Sequence, residues 1–306
     1  MPGHPKIRTA ATRSTGVLAL LLGAVVAIPA EAGAAPNGHG SAAQNCRAAV
    51  SFDRHDFPRH PKINNRFLQL LPGTNTVLSG TVRDENGQLH SHQILTTASG
   101  VTKVLDGVRT VVVFERDIQD GTLQESELAF LAQDKQGTVW NIGEYPEAYE
   151  DGKLVGADTW ISGVARAKAG VAMRAHPKVG TAAYLQGVAP AVDFRDCAQV
   201  ASKGQRRCEA GHCYKHVLVV DEFSPLDPSG GHQLKYYAPK IGNIEVGAVG
   251  GSNPEVLRLA SHTTLGRAAL ARVNRQVLAE DLRGYRVSPD AYGHTPRAEL
   301  APWRDH

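Results

Sequence analysis

The sequence predicts an all-β protein, an antiparallel sandwich or open barrel of about ten strands, followed by a C-terminal helical segment. Three observations point there. Between about residues 75 and 250, runs rich in β-branched and aromatic residues recur at roughly ten-residue spacing. The separators "DENG", "QDG", "DKQG", "EDGK" and "DPSGG" each hold a Gly or Asp, which tight turns use for positive φ or for a side-chain-to-backbone bond. Helix-start signals are first met near residue 253. No fixed-period repeat accompanies the strands, which disfavours a propeller.

Residues 1–32 read as a secretory signal peptide. Lys6, Arg8 and Arg13 form a basic start, "VLALLLGAVVAI" is an apolar run too short to span a membrane, and "AEAGAA" supplies small residues for cleavage. The expected product is therefore secreted, without a membrane span. Loss of Lys6, Arg8, Arg13 and Glu31 leaves 30 Lys and Arg against 29 Asp and Glu. A chain that close to neutrality has no general attraction for nucleic acid or anionic lipid. Residues 33–50, with "NGHGSAAQN", read as a flexible lead-in.

Residues 51–250 form the expected β domain. Its strands are "TVLSGTVR", "SHQILTT", "VRTVVVFE", "LAFLAQD", "TVWNIGEY", "TWISGV", "AAYLQGV", "YKHVLVVDEF", "QLKYYA" and "IEVGAV". Cys46, Cys197, Cys208 and Cys213 make an even set, as in an exported chain with two disulfides. Three pairings are open; the short turn "CEAGHC" favours Cys208–Cys213, which leaves Cys46 with Cys197. The spacings do not supply the paired C-x2-C of a zinc site.

Residues 251–306 read as helix and extended tail. Asn253, Pro254 and Glu255 carry N-cap and first-turn signals, Leu270, Val273, Val277 and Leu278 lie at helical spacing, and Gly284 offers a stop. "RVSPDAYGHTPRAELAPWRDH" reads as extended.

Candidate chemistry is sparse. There is no G-x-S-x-G elbow, H-E-x-x-H, P-loop or G-x-G-x-x-G after a strand. "FERDIQDGTLQESE" concentrates Glu115, Asp117, Asp120, Glu125 and Glu127. With Asp120-Gly121 as a two-residue turn, Arg116 faces Glu125 across a solvated hairpin; this is the favoured register. With a three-residue loop, Glu115 faces Glu125, and Asp117 and Glu127 join the same face as a cation site. His90 and His92 lie two apart and share a strand face, as two imidazoles on one metal would. That pattern supports a metal-assisted hydrolase or oxidase, using calcium or a transition metal on His90, His92, Glu115, Asp117, Glu125 and Glu127. The paired tyrosines of "YYAP", with two tryptophans on strands, support a different reading. Here Trp140, Trp160, Tyr236 and Tyr237 line a groove for an apolar small molecule or cell-envelope polymer, with no cofactor and no catalysis. A structural protein of the cell envelope is the third reading. The binding protein is the favoured one.

"HPKINNRFLQLLPGT", "TKVLDGVRTVVVFERDIQDG", "AQDKQGTVWNIGEY", "AKAGVAM", "DEFSPLDP" and "YYAPKIGNI" together resemble a family of exported, actinobacterial-type proteins. The resemblance implies a shared all-β fold and assigns no role to any residue. "YYAPKIG" also looks like the last strands of lipoprotein-carrier half-barrels, which hold apolar chains in their concavity; that likeness is one of fold alone.

Overall fold

The computed structural model describes residues 46–47, 51–84 and 86–301. The signal peptide expected at residues 1–32 and most of the expected lead-in lie outside the described residues.

Two short strands, β1 (Ile63–Asn64) and β2 (Gln69–Leu70), pair with each other. Then follow β3 (Thr74–Arg83), β4 (Leu89–Leu105), β5 (Val108–Gln119), β6 (Thr122–Gln133) and β7 (Val139–Glu150). β8 (Lys153–Ala157), β9 (Trp160–Ile161) and β10 (Lys168–Met173) succeed one another along the free edge of β7. β11 (Tyr184–Ala189), β12 (Phe194–Glu209), β13 (His212–Phe223), β14 (His232–Ala238), β15 (Gly242–Val249) and β16 (Glu255–Thr264) continue the meander. β16 pairs with β3, and β10 pairs with β7 through Gly170↔Asn141 and Val171↔Trp140. Twelve antiparallel strands, β3–β7 and β10–β16, thus close into a barrel. Closure satisfies both sheet edges, so no long ladder of backbone groups is left open.

The barrel is closed where the sequence allowed a sandwich or an open barrel, and it has twelve strands instead of about ten. The missed strands have identifiable reasons. β12 contains "SKGQRR", whose charge hides its alternation. β16 occupies the place given to the helix start. Its burial alternates along Glu255, Leu257 and Leu259, which point inward, and Val256, Arg258 and Ala260, which do not. That period of two outweighs the capping pattern of Asn253-Pro254-Glu255. Helix α1 (Arg267–Val287) begins at Gly266 and runs past Gly284, the expected stop. A Cβ on Gly284 would lie 2.5 Å from the ring of Tyr292, so this glycine is needed for the close approach of the following segment. That segment is docked, in contrast to the extended tail expected. It forms α2 (Pro289–Tyr292), and β17 (Glu299–Leu300) pairs with β4.

α1 lies against the outer wall over β4, β5 and β6. Its expected stripe is partly right: Val277 is fully buried and Val273 and Leu278 pack beside it. Polar residues share that face. Lys103 is fully buried, with Nζ donating to Asp281 Oδ1 (2.8 Å), Tyr285 Oη (3.0 Å) and the Pro296 carbonyl (2.7 Å). Glu147 accepts from Tyr145, Tyr149 and both prongs of Arg283. Both expected disulfides are formed: Cys208–Cys213 across the β12–β13 hairpin, and Cys46–Cys197, which ties the start of the described chain to β12. Such bonds form and persist in oxidising compartments.

Candidate functional site

The β5–β6 hairpin decides what the barrel encloses. Asp120 (φ 49°) and Gly121 (φ 78°) form the expected two-residue turn, and Gln119 pairs with Thr122. A bulge at Gln124 then shifts the register, so that Asp117 pairs with Glu125 and Glu115 with Glu127. The solvated hairpin with Arg116 opposite Glu125 is therefore not what forms. The reason lies further along the strands. A slip of one residue turns every side chain to the other face. Without the bulge Phe114 would face Glu127; with it, Phe114 faces Leu128, and the apolar row continues to Tyr145 beneath the C-terminal segment. The carboxylates go to the opposite face, which is the barrel lumen. Glu115, Asp117, Glu125 and Glu127 are all buried.

Each lumen carboxylate has a distinct environment. Glu115 accepts from Thr96 Oγ1 at 2.7 Å. Asp117 Oδ1 lies 2.6 Å from His92 Nε2, and Glu255 Oε1 lies 2.7 Å from His92 Nδ1. Burial disfavours the His92 cation, but the two carboxylates outweigh it and push its pKa up to about 10. Glu144, on the neighbouring strand, accepts from Trp160 Nε1 (2.8 Å) and from Asn141 Nδ2. Burial nevertheless pushes its pKa up to about 7, against those two bonds. Glu127 differs from the rest: both carboxyl oxygens are buried and neither has a hydrogen-bond partner. Burial first, then the charges of Glu144, Glu115 and Glu125, hold its pKa well above the carboxylate range. On the far wall, Glu222 takes Lys235 Nζ at 2.6 Å and Gln186 Nε2 at 3.1 Å. Burial works against the Lys235 cation, and Glu222, together with the charges of Glu115 and Glu255, more than offsets it.

A cavity of ≈ 60 Å³ lies between these walls. Glu115, Gln186, Glu222 and Tyr237 form its buried polar floor, and Leu78, Val113, Leu131 and Ala172 its apolar sides. Half-buried residues form the mouth: Leu68 and Gln69 from the β1–β2 hairpin, Thr74 and Thr76 from β3, and Ile241 and Asn243 beside the β14–β15 turn. The hairpin is pinned across this end. Gln133 Oε1 accepts from the Asn64 and Asn65 amides, Asn65 Nδ2 donates to the Gly137 and Arg174 carbonyls, and the Lys240 amide donates to the Arg66 carbonyl.

The four aromatic residues expected to line one groove are not brought together. Tyr237 lines the cavity. Tyr236, the next residue, has the Arg207 guanidinium 4.5 Å above its ring and belongs to a separate apolar cluster. Trp140 packs edge-on against Phe52 and donates to Asp134. Trp160 stacks on Phe194 and reaches the lumen through its bond to Glu144. The histidines are also separated in role. His90 is held by Asp120 and Asp84 at the β4 end, whereas both ring nitrogens of His92 face carboxylates. Among the described residues, no three His, Cys, Asp or Glu side chains are disposed to hold one metal ion. Sequence reasoning missed Glu222, Lys235, Gln186 and Glu255. Their only signal was a charged or amide residue within a strand run, which reads equally well as an outward-facing position.

No protein-family model and no curated protein matches the chain. Among solved structures, a candidate exported protein of YmcC-like fold from Bacteroides fragilis NCTC 9343 has a TM-score of 0.35 at 10% identity. The match covers 65% of this chain and 100% of that one. A candidate lipoprotein from Parabacteroides distasonis ATCC 8503 has a TM-score of 0.34 at 10% identity, over 65% of this chain and 99% of that one. A likeness this distant says nothing of what the chain binds.

Among the described residues, no helix is long and apolar enough to cross a membrane.

Proposed function

We propose that this chain is an exported binding protein whose barrel receives a narrow, largely apolar group through the end crossed by the β1–β2 hairpin. One observation carries the reading: the cavity of ≈ 60 Å³, with apolar sides, a polar floor and a half-exposed mouth. Binding sites for small molecules combine those features, with a few placed polar groups fixing orientation. The volume is about four water-sized spheres by the one-water threshold. It therefore suits a thin chain, either a small molecule or one side group of a polymer that remains outside.

The test is calorimetric titration with n-pentanol, with wild type compared to Ala172→Leu. Ala172 is a buried cavity wall, and the larger side chain fills the space beside it. Saturable binding to wild type, lost in Ala172→Leu with an unchanged far-UV circular dichroism spectrum, supports the proposal. The absence of binding to wild type overturns it, and so does equal binding to both proteins.

A further inference from the structure

We propose that a basic groove at one end of the barrel docks an extended acidic peptide segment of a partner protein, with its carboxylates on Arg59 and Lys135. This goes beyond the lumen reading and does not rest on it.

Residues 54–61 are tied across two turns of the barrel. Arg54 holds Asp106 in the β4–β5 turn. In the β6–β7 turn, the Lys135 amide donates to the Asp56 carbonyl (2.9 Å) and Lys135 Nζ to the His55 carbonyl (2.8 Å). This segment, β4, β5 and the two turns line a groove of ≈ 1330 Å³. Arg54, Arg59, Arg109 and Lys135 face it, and Glu299 is its only acidic lining residue among those described. Glu299 is paired with Arg109, and Asp106 with Arg54. Arg59 and Lys135 are exposed, and neither has a carboxylate partner among the described residues. Phe57, Pro58 and Val104 add apolar surface to the same groove.

The expected mature chain carries 30 Lys and Arg against 29 Asp and Glu, so the excess of cations belongs to this groove and not to the molecule as a whole. A guanidinium offers five N–H donors, more than one carboxylate takes up, so Arg54 and Arg109 keep donors for a ligand. Clusters of arginine are a recurring means of reading acidic peptide motifs. The groove is larger than the roughly 300–1,000 Å³ of small-molecule sites, which suits a length of chain. A bare anion would leave Phe57, Pro58 and Val104 uncovered. In an extended peptide, successive side chains point to opposite sides, so acidic residues can meet the cations while the apolar ones between them cover that surface. A groove also admits a chain and keeps a planar membrane surface off its floor.

The experiment is a fluorescence-anisotropy titration of the exported protein into a fluorescein-labelled peptide of alternating glutamate and valine, roughly eight residues long. The same peptide with glutamine for glutamate, and a labelled oligogalacturonate, are run beside it. The glutamate peptide should bind at least about tenfold more tightly than the glutamine peptide, and added salt should weaken it, because exposed charge contacts are screened. Arg59→Glu with Lys135→Glu should weaken the glutamate peptide by at least about tenfold, as expected when two exposed contacts are reversed. Arg206→Glu with Lys215→Glu, at exposed positions of the β12–β13 hairpin, should leave it within about twofold. Ala172→Leu, which fills the lumen, should also leave it unchanged, so the failure of either reading is distinguishable from that of the other. Equal affinity for the two peptides, or no binding of either, overturns the inference. So does an equal loss in the two charge-reversed proteins. Tighter binding of oligogalacturonate than of the glutamate peptide overturns it too, and gives the groove to an acidic polysaccharide. The comparison of ligands on wild type decides the matter even if a variant does not fold.

Discussion

Glu280 on α1 tests the electrostatic account of the helix–barrel interface. It is 2% exposed; Oε2 accepts from Ser126 Oγ at 2.7 Å and from the Arg283 guanidinium at 3.3 Å, and Oε1 has no hydrogen-bond partner. Burial, and then the charge of Glu147, push its pKa from 4.5 up to about 8, against the Ser126 bond and the charge of Arg283. The folded protein therefore keeps a proton that the unfolded chain releases. The stability this proton provides is complete below about pH 4.5 and is lost as pH rises to about 8, where the contribution levels off. Each pH unit inside that window removes about 1.4 kcal/mol, so the group accounts for about 4 kcal/mol between pH 5 and pH 8. Glu280→Gln cannot titrate, keeps an acceptor for Ser126 and places an amide where the orphaned oxygen was. Urea unfolding of both proteins at pH 5 and pH 8.5 isolates the effect, because other titrating groups cancel in the double difference. The variant should gain about 3–5 kcal/mol relative to wild type between the two conditions. A difference that stays within about 1 kcal/mol at both pH values refutes the reasoning.

Two further predictions concern stability. Cys46–Cys197 closes a loop spanning 151 residues and Cys208–Cys213 one spanning 5. On chain entropy, removing the first by a double Ser substitution should cost about 5 kcal/mol and removing the second about 2, measured by urea unfolding. Lys103→Met leaves Asp281 buried without its cation and should cost about 3–5 kcal/mol; Lys103→Met with Asp281→Leu should recover part of that, as thermal denaturation would show.

The fold was largely legible because strands and turns announce themselves locally. The Asp120-Gly121 turn, the Cys208–Cys213 bridge and the all-β class follow from residues within a few positions of one another, and Cys46–Cys197 is the pair left over once that bridge is favoured. What was not legible depends on partners far along the chain. The bulge at Gln124 is dictated by the match of Phe114 to Leu128, not by the turn it follows. β16 became a strand because β3 and β15 flank it, with Leu257 opposite Gly80 and Val246. Glu115 and Glu222, separated by more than a hundred residues, share a cavity only because the barrel closes. For the same reason Trp140 and Tyr236, which looked like groove residues, pack elsewhere: an aromatic ring on a strand says that something will be covered, but not which face.

The most direct measurement is a methyl NMR titration of the 13C-labelled protein with n-pentanol. The account predicts saturable shifts concentrated on Leu70, Leu78, Val113, Leu131 and Ile241, which line the cavity, with little change at Val273 and Val277 on the outer helix. Shifts confined to the outer wall, or none at saturating n-pentanol, would contradict it.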